Sequence, residues 1–268
     1  MKAMERCVDY MDNYKIEEIA SNTYRIDESG ISNCYLLIGS EQALLIDACW
    51  GIGNLKRCIT KITNQPIIVA VTHRHPDHTN GTRQFGDYYA HIDDNTWFNR
   101  FLEHIFLYRL ALKHFGIKGN INQKLERGKI LTMEDGDIFH LGNRDIEVKL
   151  IPGHTAGSVM FIDHSRKLLF TGDNINSHLW MHMPGAVSLE EWLEGTKLVL
   201  SYLEKNYTAY VGHGEGLQTK HQVEAIYVYA QEIIEKKKRG NLTKADNPYP
   251  RKGSSLEIRF NMNKIIKK

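Results

Sequence analysis

The chain has 268 residues, which is enough to bury a sizeable core in one large domain. Its hydrophobic content of 42% and its charged fraction of 25% are ordinary for a soluble globular protein. The formal net charge of +2 argues against broad nucleic-acid affinity, and no apolar run is long enough to span a membrane.

The N-terminal part predicts two strands followed by a helix. Residues 1–14 are mixed and charged, without the apolar core of a signal peptide. Residues 32–38 and 42–48 predict consecutive strands joined by a Gly-Ser turn. The Gly-Ile-Gly-Asn sequence at 51–54 predicts the start of a helix that ends near residue 63. Its G-x-G is too short for a nucleotide-binding loop.

The cysteines predict a reduced protein. Cys7, Cys34, Cys49 and Cys58 show neither C-x-x-C spacing nor a dense disulfide framework. Cys34 and Cys49 lie in apolar sequence and are expected to be buried thiols. We therefore expect a cytoplasmic protein without membrane attachment.

Four metal-capable side chains fall within six residues, directly after a predicted strand. The apolar, β-branched run at 66–71 indicates a buried strand, so the segment that follows lies at its carboxyl end, on the loop entering the next helix. Histidine and carboxylate are ligands that zinc, iron and manganese accept. A solvated histidine-rich loop is the alternative interpretation. The four side chains are His73, His75, Asp77 and His78.

Three later segments supply further ligands at predicted strand ends. His154 lies in a Gly-rich turn, Asp173 lies just past an apolar strand, and His213 lies between two glycines. A neighbouring glycine lets the backbone approach closely. Each segment alone is weak evidence, but together and in this order they favour one metal centre over a solvated loop.

A predicted insertion separates these motifs. After a strand at 87–91, residues 94–115 predict a long helix, because large apolar residues recur at spacings of three and four. With its polar continuation to residue 127, this segment is interpreted as a helical insertion near the pocket. Its aromatic face predicts core packing, with substrate contact or a dimer surface as the alternatives. The apolar residues are Trp97, Phe101, Ile105, Tyr108 and Leu112.

The second half predicts more strands and two helices. A capping box at Ser188–Glu191 predicts a helix to about residue 204, and a second helix is expected from about 219 to 237. An alternating stretch at 256–260 is expected to form an edge strand. The remaining strands are expected at 138–141, 145–151, 158–163, 167–171 and 208–211.

This order of elements predicts a single domain over residues 1–268. We expect an α/β fold in which two mixed β-sheets pack together with helices outside, an αββα sandwich. The insertion at about 94–127 and a short C-terminal extension after about residue 240 would be added to it.

Taken together, the motifs resemble those of the metallo-β-lactamase-fold hydrolase superfamily. The resemblance runs from about Tyr24 to about Gly216 and includes an early aspartate, Asp47, in Leu-Leu-Ile-Asp. It implies that Asp173 bridges two metals and that Asp47 orients a ligand. It also implies that one metal is held by His73, His75 and His154, and the other by Asp77, His78 and His213.

The donor set favours hydrolytic chemistry. Five imidazoles and two carboxylates are enough for two divalent ions, with Zn²⁺ expected first and Fe or Mn as alternatives. Two ions roughly 3.5–4 Å apart share a bridging hydroxide, and Asp77, the expected catalytic residue, would orient that water or take its proton. The motif lacks the glutamate of flavodiiron oxidases, and no cysteine falls at a ligand position. We therefore predict a hydrolase of an ester, thioester or lactone, similar to the glyoxalase II-like and lactonase-like branch rather than to true β-lactamases.

The segment after Asp173 predicts part of the substrate pocket. His178, Trp180, Met181 and His182 are the candidates for its wall, with ordinary loop packing as the alternative. The Asn-Pro-Tyr-Pro-Arg stretch at 247–251 distantly resembles a C-terminal segment of glyoxalase II enzymes, with a proline-stiffened turn as the alternative.

Two other functions stay open at this point. A phosphodiesterase or nuclease would use the same ligands but would need a basic surface, and the basic run at 236–239 suits a helix C-terminus instead. A non-catalytic metal-binding protein is disfavoured because structural sites are closed. We expect a small-molecule substrate and no nucleic-acid or membrane partner. A homodimer that forms through the insertion is a further possibility that the sequence leaves open.

Overall fold

The computed structural model describes residues 8–11, 14–94, 128–250 and 255–267. These residues contain four α-helices: α1 (Leu55–Ile62), α2 (Pro76–Thr79), α3 (Leu189–Glu204) and α4 (Lys220–Lys238). Their strands are β1 (Val8–Met11), β2 (Tyr14–Ala20), β3 (Thr23–Glu28), β4 (Ser32–Ile38), β5 (Ala43–Ile46), β6 (Ile67–Ala70), β7 (Tyr88–His91), β8 (Ile130–Met133), β9 (Ile138–His140), β10 (Asp145–Leu150), β11 (Val159–Asp163), β12 (Leu168–Phe170), β13 (His178–Met181), β14 (Thr208–Tyr210), β15 (Leu217–Gln218) and β16 (Glu257–Phe260).

The strands form two large mixed sheets and a small ribbon. The first sheet has the order β1-β2-β3-β4-β5-β6-β7-β8 and changes from antiparallel to parallel pairing at β5. The second has the order β15-β14-β12-β11-β10-β9, with β12 and β14 parallel. The ribbon pairs β13 with β16 in parallel. Parallel neighbours bring several strand ends to the same edge of each sheet, where functional loops collect.

The two sheets pack face to face because their central strands are apolar on both faces. In β4, Tyr35 and Leu37 join the core between the sheets, whereas Cys34 and Leu36 lie in the core on the outer face of the first sheet. The core between the sheets is completed by residues of the second sheet such as Phe161. Strands that are buried on both faces have nearly continuous apolar sequences, so such strands are easy to predict from the sequence.

Helices cover the outer faces and complete the predicted αββα sandwich, which is confirmed. Helix α1 packs on the first sheet, while α3 and α4 pack on the second sheet and the ribbon. The predicted capping box of α3 is present, since Ser188 accepts a hydrogen bond from the Glu191 amide and the Glu191 side chain reaches back.

Several elements differ from the sequence prediction. Strands β1 to β3, β8, β13 and β15 were not predicted. The strand expected at 256–260 is present as β16 and pairs with β13 in the two-stranded ribbon. The helix predicted at 94–115 and the rest of the insertion to 127 lie outside the described residues, except for Asp94. Cys34, Cys49 and Cys58 are buried free thiols. Across the part of the chain that the structure describes, no helix is both long and apolar enough to cross a membrane.

Candidate metal centre

All seven predicted ligands lie at strand ends on one edge of the sandwich. His73 follows β6, and His75, Asp77 and His78 lie at the start of α2, where Pro76 occupies the first turn. The loop between β10 and β11 carries His154. Asp173 follows β12, and His213 follows β14.

His73, His75 and His154 form the first group of ligands, and all three are buried. His75 Nδ1 lies 3.2 Å from His73 Nε2 and 2.8 Å from His154 Nε2. Burial lowers the pKa of each imidazole, to about 4 for His154. These rings are therefore neutral near pH 7 and keep a lone pair for a metal. His154 Nδ1 donates to the Trp180 carbonyl oxygen at 2.7 Å, which leaves its Nε2 unprotonated.

Asp77, His78, Asp173 and His213 form the second group. His213 Nε2 lies 3.4 Å from Asp77 Oδ2, and His78 Nε2 lies 3.8 Å from the same oxygen. Burial lowers the pKa of both histidines, but the facing carboxylates raise it by more, so both lie well above the usual value. His213 Nδ1 donates to the Ile31 carbonyl oxygen at 2.6 Å, which directs its Nε2 toward the carboxylates.

Asp173 contacts both groups. Its Oδ2 lies 3.0 Å from His213 Nε2 and 3.7 Å from His154 Nε2, and its Oδ1 lies 3.4 Å from His78 Nε2. Burial raises the pKa of this carboxyl, but His213 and His78 lower it by more. Asp173 is therefore an ionised carboxylate that lies next to imidazoles of both groups.

Unpaired buried atoms show that the centre fits divalent ions. His78 Nε2 and Asp173 Oδ1 are buried and have no hydrogen-bond partner among the described residues. Leaving such a group unpaired costs about 1–3 kcal/mol, and a cation between them would remove that cost. The donors are imidazole nitrogens and carboxylate oxygens, the ligands that zinc accepts.

Asp47 orients His78, one member of the second group, through a hydrogen bond. Its backbone is left-handed, with φ 59°, and its carboxylate accepts the Thr72 amide hydrogen at 2.7 Å. The other carboxylate oxygen lies 2.9 Å from His78 Nδ1 and fixes the proton there, so that Nε2 points into the centre. This contact agrees with the ligand-orienting role that the resemblance implied.

Gly212, the residue before His213, is required for a steric reason. A Cβ on Gly212 would lie 2.5 Å from Asp173 Oδ1 and 2.5 Å from His78 Cε1, so any larger residue would displace two ligands. The close backbone approach predicted for this motif is confirmed.

A cavity of about 800 Å³ opens onto both groups. Among the predicted wall residues, His178 and Trp180 line it. Met181 does not, because its side chain is buried in the core between the ribbon, α3 and α4. His182 packs against the Trp180 ring, with centroids 5.6 Å apart, and does not reach the wall. The sequence did not identify the other large apolar wall residues: Ile31, Trp50, Val211 and Leu217.

Two functional groups were missed because they belong to the backbone. The carbonyl oxygens of Ile31 and Trp180 set the tautomers of His213 and His154. A carbonyl has no signature in the sequence, so only the fold could identify them.

Comparisons with known proteins agree with this geometry. A family model described as the metallo-beta-lactamase superfamily matches residues 28–213. The chain is 29% identical over 170 residues to the acyl-coenzyme A thioesterase MBLAC2 of Homo sapiens, covering 56% of this chain and 60% of that protein. It is 22% identical over 197 residues to the probable polyketide biosynthesis zinc-dependent hydrolase PksB of Bacillus subtilis (strain 168), covering 72% of this chain and 78% of that protein.

A solved structure shows the same fold over most of the chain. A metallo-beta-lactamase family protein of Thermus thermophilus superposes with a TM-score of 0.61 at 17% identity, covering 90% of this chain and 91% of that one. The family match covers more than half of the sequence and includes all seven predicted ligands. The chain belongs to the metallo-β-lactamase superfamily.

Proposed function

We propose that the protein is a hydrolase that acts on acyl thioesters and uses two zinc ions. The observation that carries the proposal is the apolar cavity that opens directly onto both ligand groups. His75, Asp77, His154, Asp173 and His213 all line it. A structural metal site would be closed by its ligands, so this exposure supports catalysis over a non-catalytic role.

The wall favours an acyl group over a phosphodiester. Of the described residues that line the cavity, none is Lys or Arg, and most of the surface they expose to it is apolar. Arg259 does not line the cavity; its guanidinium lies 5.8 Å from the centroid of the Trp180 ring and is paired with Glu257 at 3.0 Å. A phosphodiester would need free cations to offset its oxygens, while an apolar acyl chain needs only such a wall.

The ligand sets proposed for the two metals are those that the structure brings together. His73, His75 and His154 would hold one Zn²⁺, and Asp77, His78 and His213 the other, with Asp173 contacting both. When bound, two divalent ions supply Lewis acidity at a carbonyl oxygen and lower the pKa of water. PksB, one of the similar proteins, is described as a probable zinc-dependent hydrolase, which supports zinc as the metal.

Asp77 is proposed to position the attacking water. Its side chain is 21% exposed and faces the cavity. Burial raises its pKa, but His78 and His213 lower it by more, so the carboxylate stays ionised and accepts a hydrogen bond from water. In the reaction the water oxygen bonds to the acyl carbon, the carbon–sulfur bond breaks and the sulfur leaves as a thiolate. Of the two protons of the water, one ends on the thiolate and the other is released to solvent, giving a carboxylate, a thiol and a proton. A thiol with a pKa of ~8.5 leaves without an acid from the chain, whereas an amine does not.

Partner assignments follow from the same site. The name of the human relative, an acyl-coenzyme A thioesterase, supports a small-molecule thioester as the substrate. The proposal gives no role to nucleic acid or to a membrane. A homodimer through the insertion at about 94–127 stays a prediction, since residues 95–127 lie outside the described residues.

Substrate comparison on one zinc-loaded preparation tests the proposal. We expect kcat/KM to be highest for acyl thioesters and to rise about fourfold for each added methylene until the cavity is filled, from ~0.8 kcal/mol per buried CH₂. A lactone, bis-p-nitrophenyl phosphate and chelator-treated protein serve as comparisons. A phosphodiester preferred by more than about tenfold, or ~1.4 kcal/mol, contradicts the acyl assignment.

A further inference from the structure

We propose that Asp94 is a positioning residue that ties together the two loops carrying the first group of ligands. This inference rests on the metal centre of the proposed function. Asp94 lies outside the cavity wall, and its carboxylate accepts hydrogen bonds from the backbone on either side of the centre.

The Asp94 carboxylate spans both loops. Its Oδ2 accepts the amide hydrogen of Arg74, the residue between His73 and His75, at 2.8 Å. Its Oδ1 accepts the amide hydrogen of Gly157, three residues after His154, at 3.0 Å. One side chain therefore links the backbones from which all three imidazoles of the first group extend.

Further contacts hold Asp94 in place. It is 1% exposed, and its own carbonyl oxygen accepts a hydrogen bond from Arg74 Nη1 at 3.1 Å. A Cβ on Gly157 would lie 2.9 Å from Oδ1 and 2.6 Å from the Asp94 amide nitrogen, so glycine is needed for this approach. The link is short on both sides and closed to water, so it limits how far the two loops can separate.

If these two loops moved apart, metal binding by the first group would be the first property to weaken. His75 Nδ1 and His154 Nε2 lie 2.8 Å apart although they come from different loops. A ligand set from two loops binds a metal tightly only if the loops are held at the required spacing beforehand. Asp94, which does not line the cavity, supplies that spacing.

Asp94→Asn tests the link, with Glu28→Gln as the matched control. Each replaces one accepting oxygen of a buried carboxylate with an NH₂ group. Glu28 is also 0% exposed and accepts two amide hydrogens, from Trp50 and Ile52 at 2.7 Å each, but its contacts lie outside the ligand loops. Zinc content and chelator competition are measured for both variants and for the native chain.

We expect Asp94→Asn to bind one of two zinc equivalents about 10–100-fold more weakly, and Glu28→Gln to bind both as the native chain does. Unchanged zinc affinity in Asp94→Asn, or an equal loss in both variants, overturns the positioning role. A native chain that binds no zinc contradicts the proposed function instead.

Hydrogen exchange of the metal-free native chain tests the link without any variant. The amides of Arg74 and Gly157 should be protected, because both donate to a buried carboxylate. Fast exchange at either amide would show that the link is not maintained in solution and would overturn the proposal even if Asp94→Asn does not fold.

Discussion

Replacing Asp47 with Asn should weaken metal binding at the second group by reversing the tautomer of His78. Asp47 Oδ2 faces His78 Nδ1 at 2.9 Å, and Asp47 Oδ1 accepts the Thr72 amide hydrogen at 2.7 Å. An amide has only one accepting oxygen, so in either orientation its NH₂ faces an N–H donor. With NH₂ toward the ring, the proton of neutral His78 moves to Nε2, the nitrogen that a metal needs.

Two effects of opposite sign determine the magnitude. Asp47 is the largest of the influences that raise the pKa of His78, so removing its charge reduces competition from protons. Reversing the tautomer removes the metal-binding lone pair, and loss of such a supporting partner lowers metal affinity about 10–100-fold. We expect the second effect to dominate near neutral pH, giving a net loss of at least about tenfold, or ~1.4 kcal/mol.

The fold should tolerate this change. Asn adopts the left-handed backbone that Asp47 has at φ 59°, and losing one charge-assisted hydrogen bond costs about 2 kcal/mol. Asp47→Ala is the control: it should destabilise the chain more, since Ala is strained at that φ, but it presents no NH₂ to His78. Chelator competition with zinc measures both variants. Native affinity in Asp47→Asn, or a larger loss in Asp47→Ala, would refute the tautomer reasoning.

Three further predictions concern catalysis, specificity and pH. Asp77→Asn should lower kcat by roughly a hundredfold or more while the melting temperature with metal at the first site changes little; near-normal turnover with both metals bound would exclude the role of Asp77. Trp180→Ala should raise the KM for substrates with bulky acyl groups and leave the KM for small acyl groups nearly unchanged. Tyr207→Ala, which changes an aromatic residue away from the cavity, should alter neither KM. Equal effects of Trp180→Ala on both substrate sizes would argue against a role for Trp180 in the cavity wall. Burial raises the pKa of Glu28 from 4.5 to about 7, so the folded chain binds more protons there and its unfolding free energy should increase as pH falls from about 7 to 4.5. In denaturant unfolding of the metal-free protein, the unfolding free energy of Glu28→Gln should not show this increase. Identical pH profiles for the native chain and for Glu28→Gln would contradict the prediction.

The ligands could be predicted from the sequence because each combines two local signals. His154, Asp173 and His213 each follow a strand and have glycine beside them, and the strand before Asp173, β12, is buried at every position. Burial makes the apolar runs nearly continuous, and the crowding at Gly212 makes glycine necessary. Sequence pattern and site geometry therefore have the same physical origin.

The N-terminal strands were not predicted because their buried residues include charges. In β2 and β3, Glu17 and Arg25 are buried as an ion pair at 3.0 Å, so the apolar alternation that marks a strand is interrupted. Such a pair is evident only once the strands are adjacent. The same limit applies to Asp94, whose partners are backbone amides 20 and 63 residues away.

The residues that orient the predicted ligands are mostly different from those that line the cavity. Asp47 acts on an imidazole and Asp94 on two backbone amides, and neither lines the cavity. Trp180 combines both functions, since the residue is 44% exposed and lines the cavity, while its carbonyl oxygen accepts a hydrogen bond from His154. The carbonyl remains when the side chain is replaced. A change of the ring can therefore alter the substrate while the orientation of His154, and with it the first metal site, is retained.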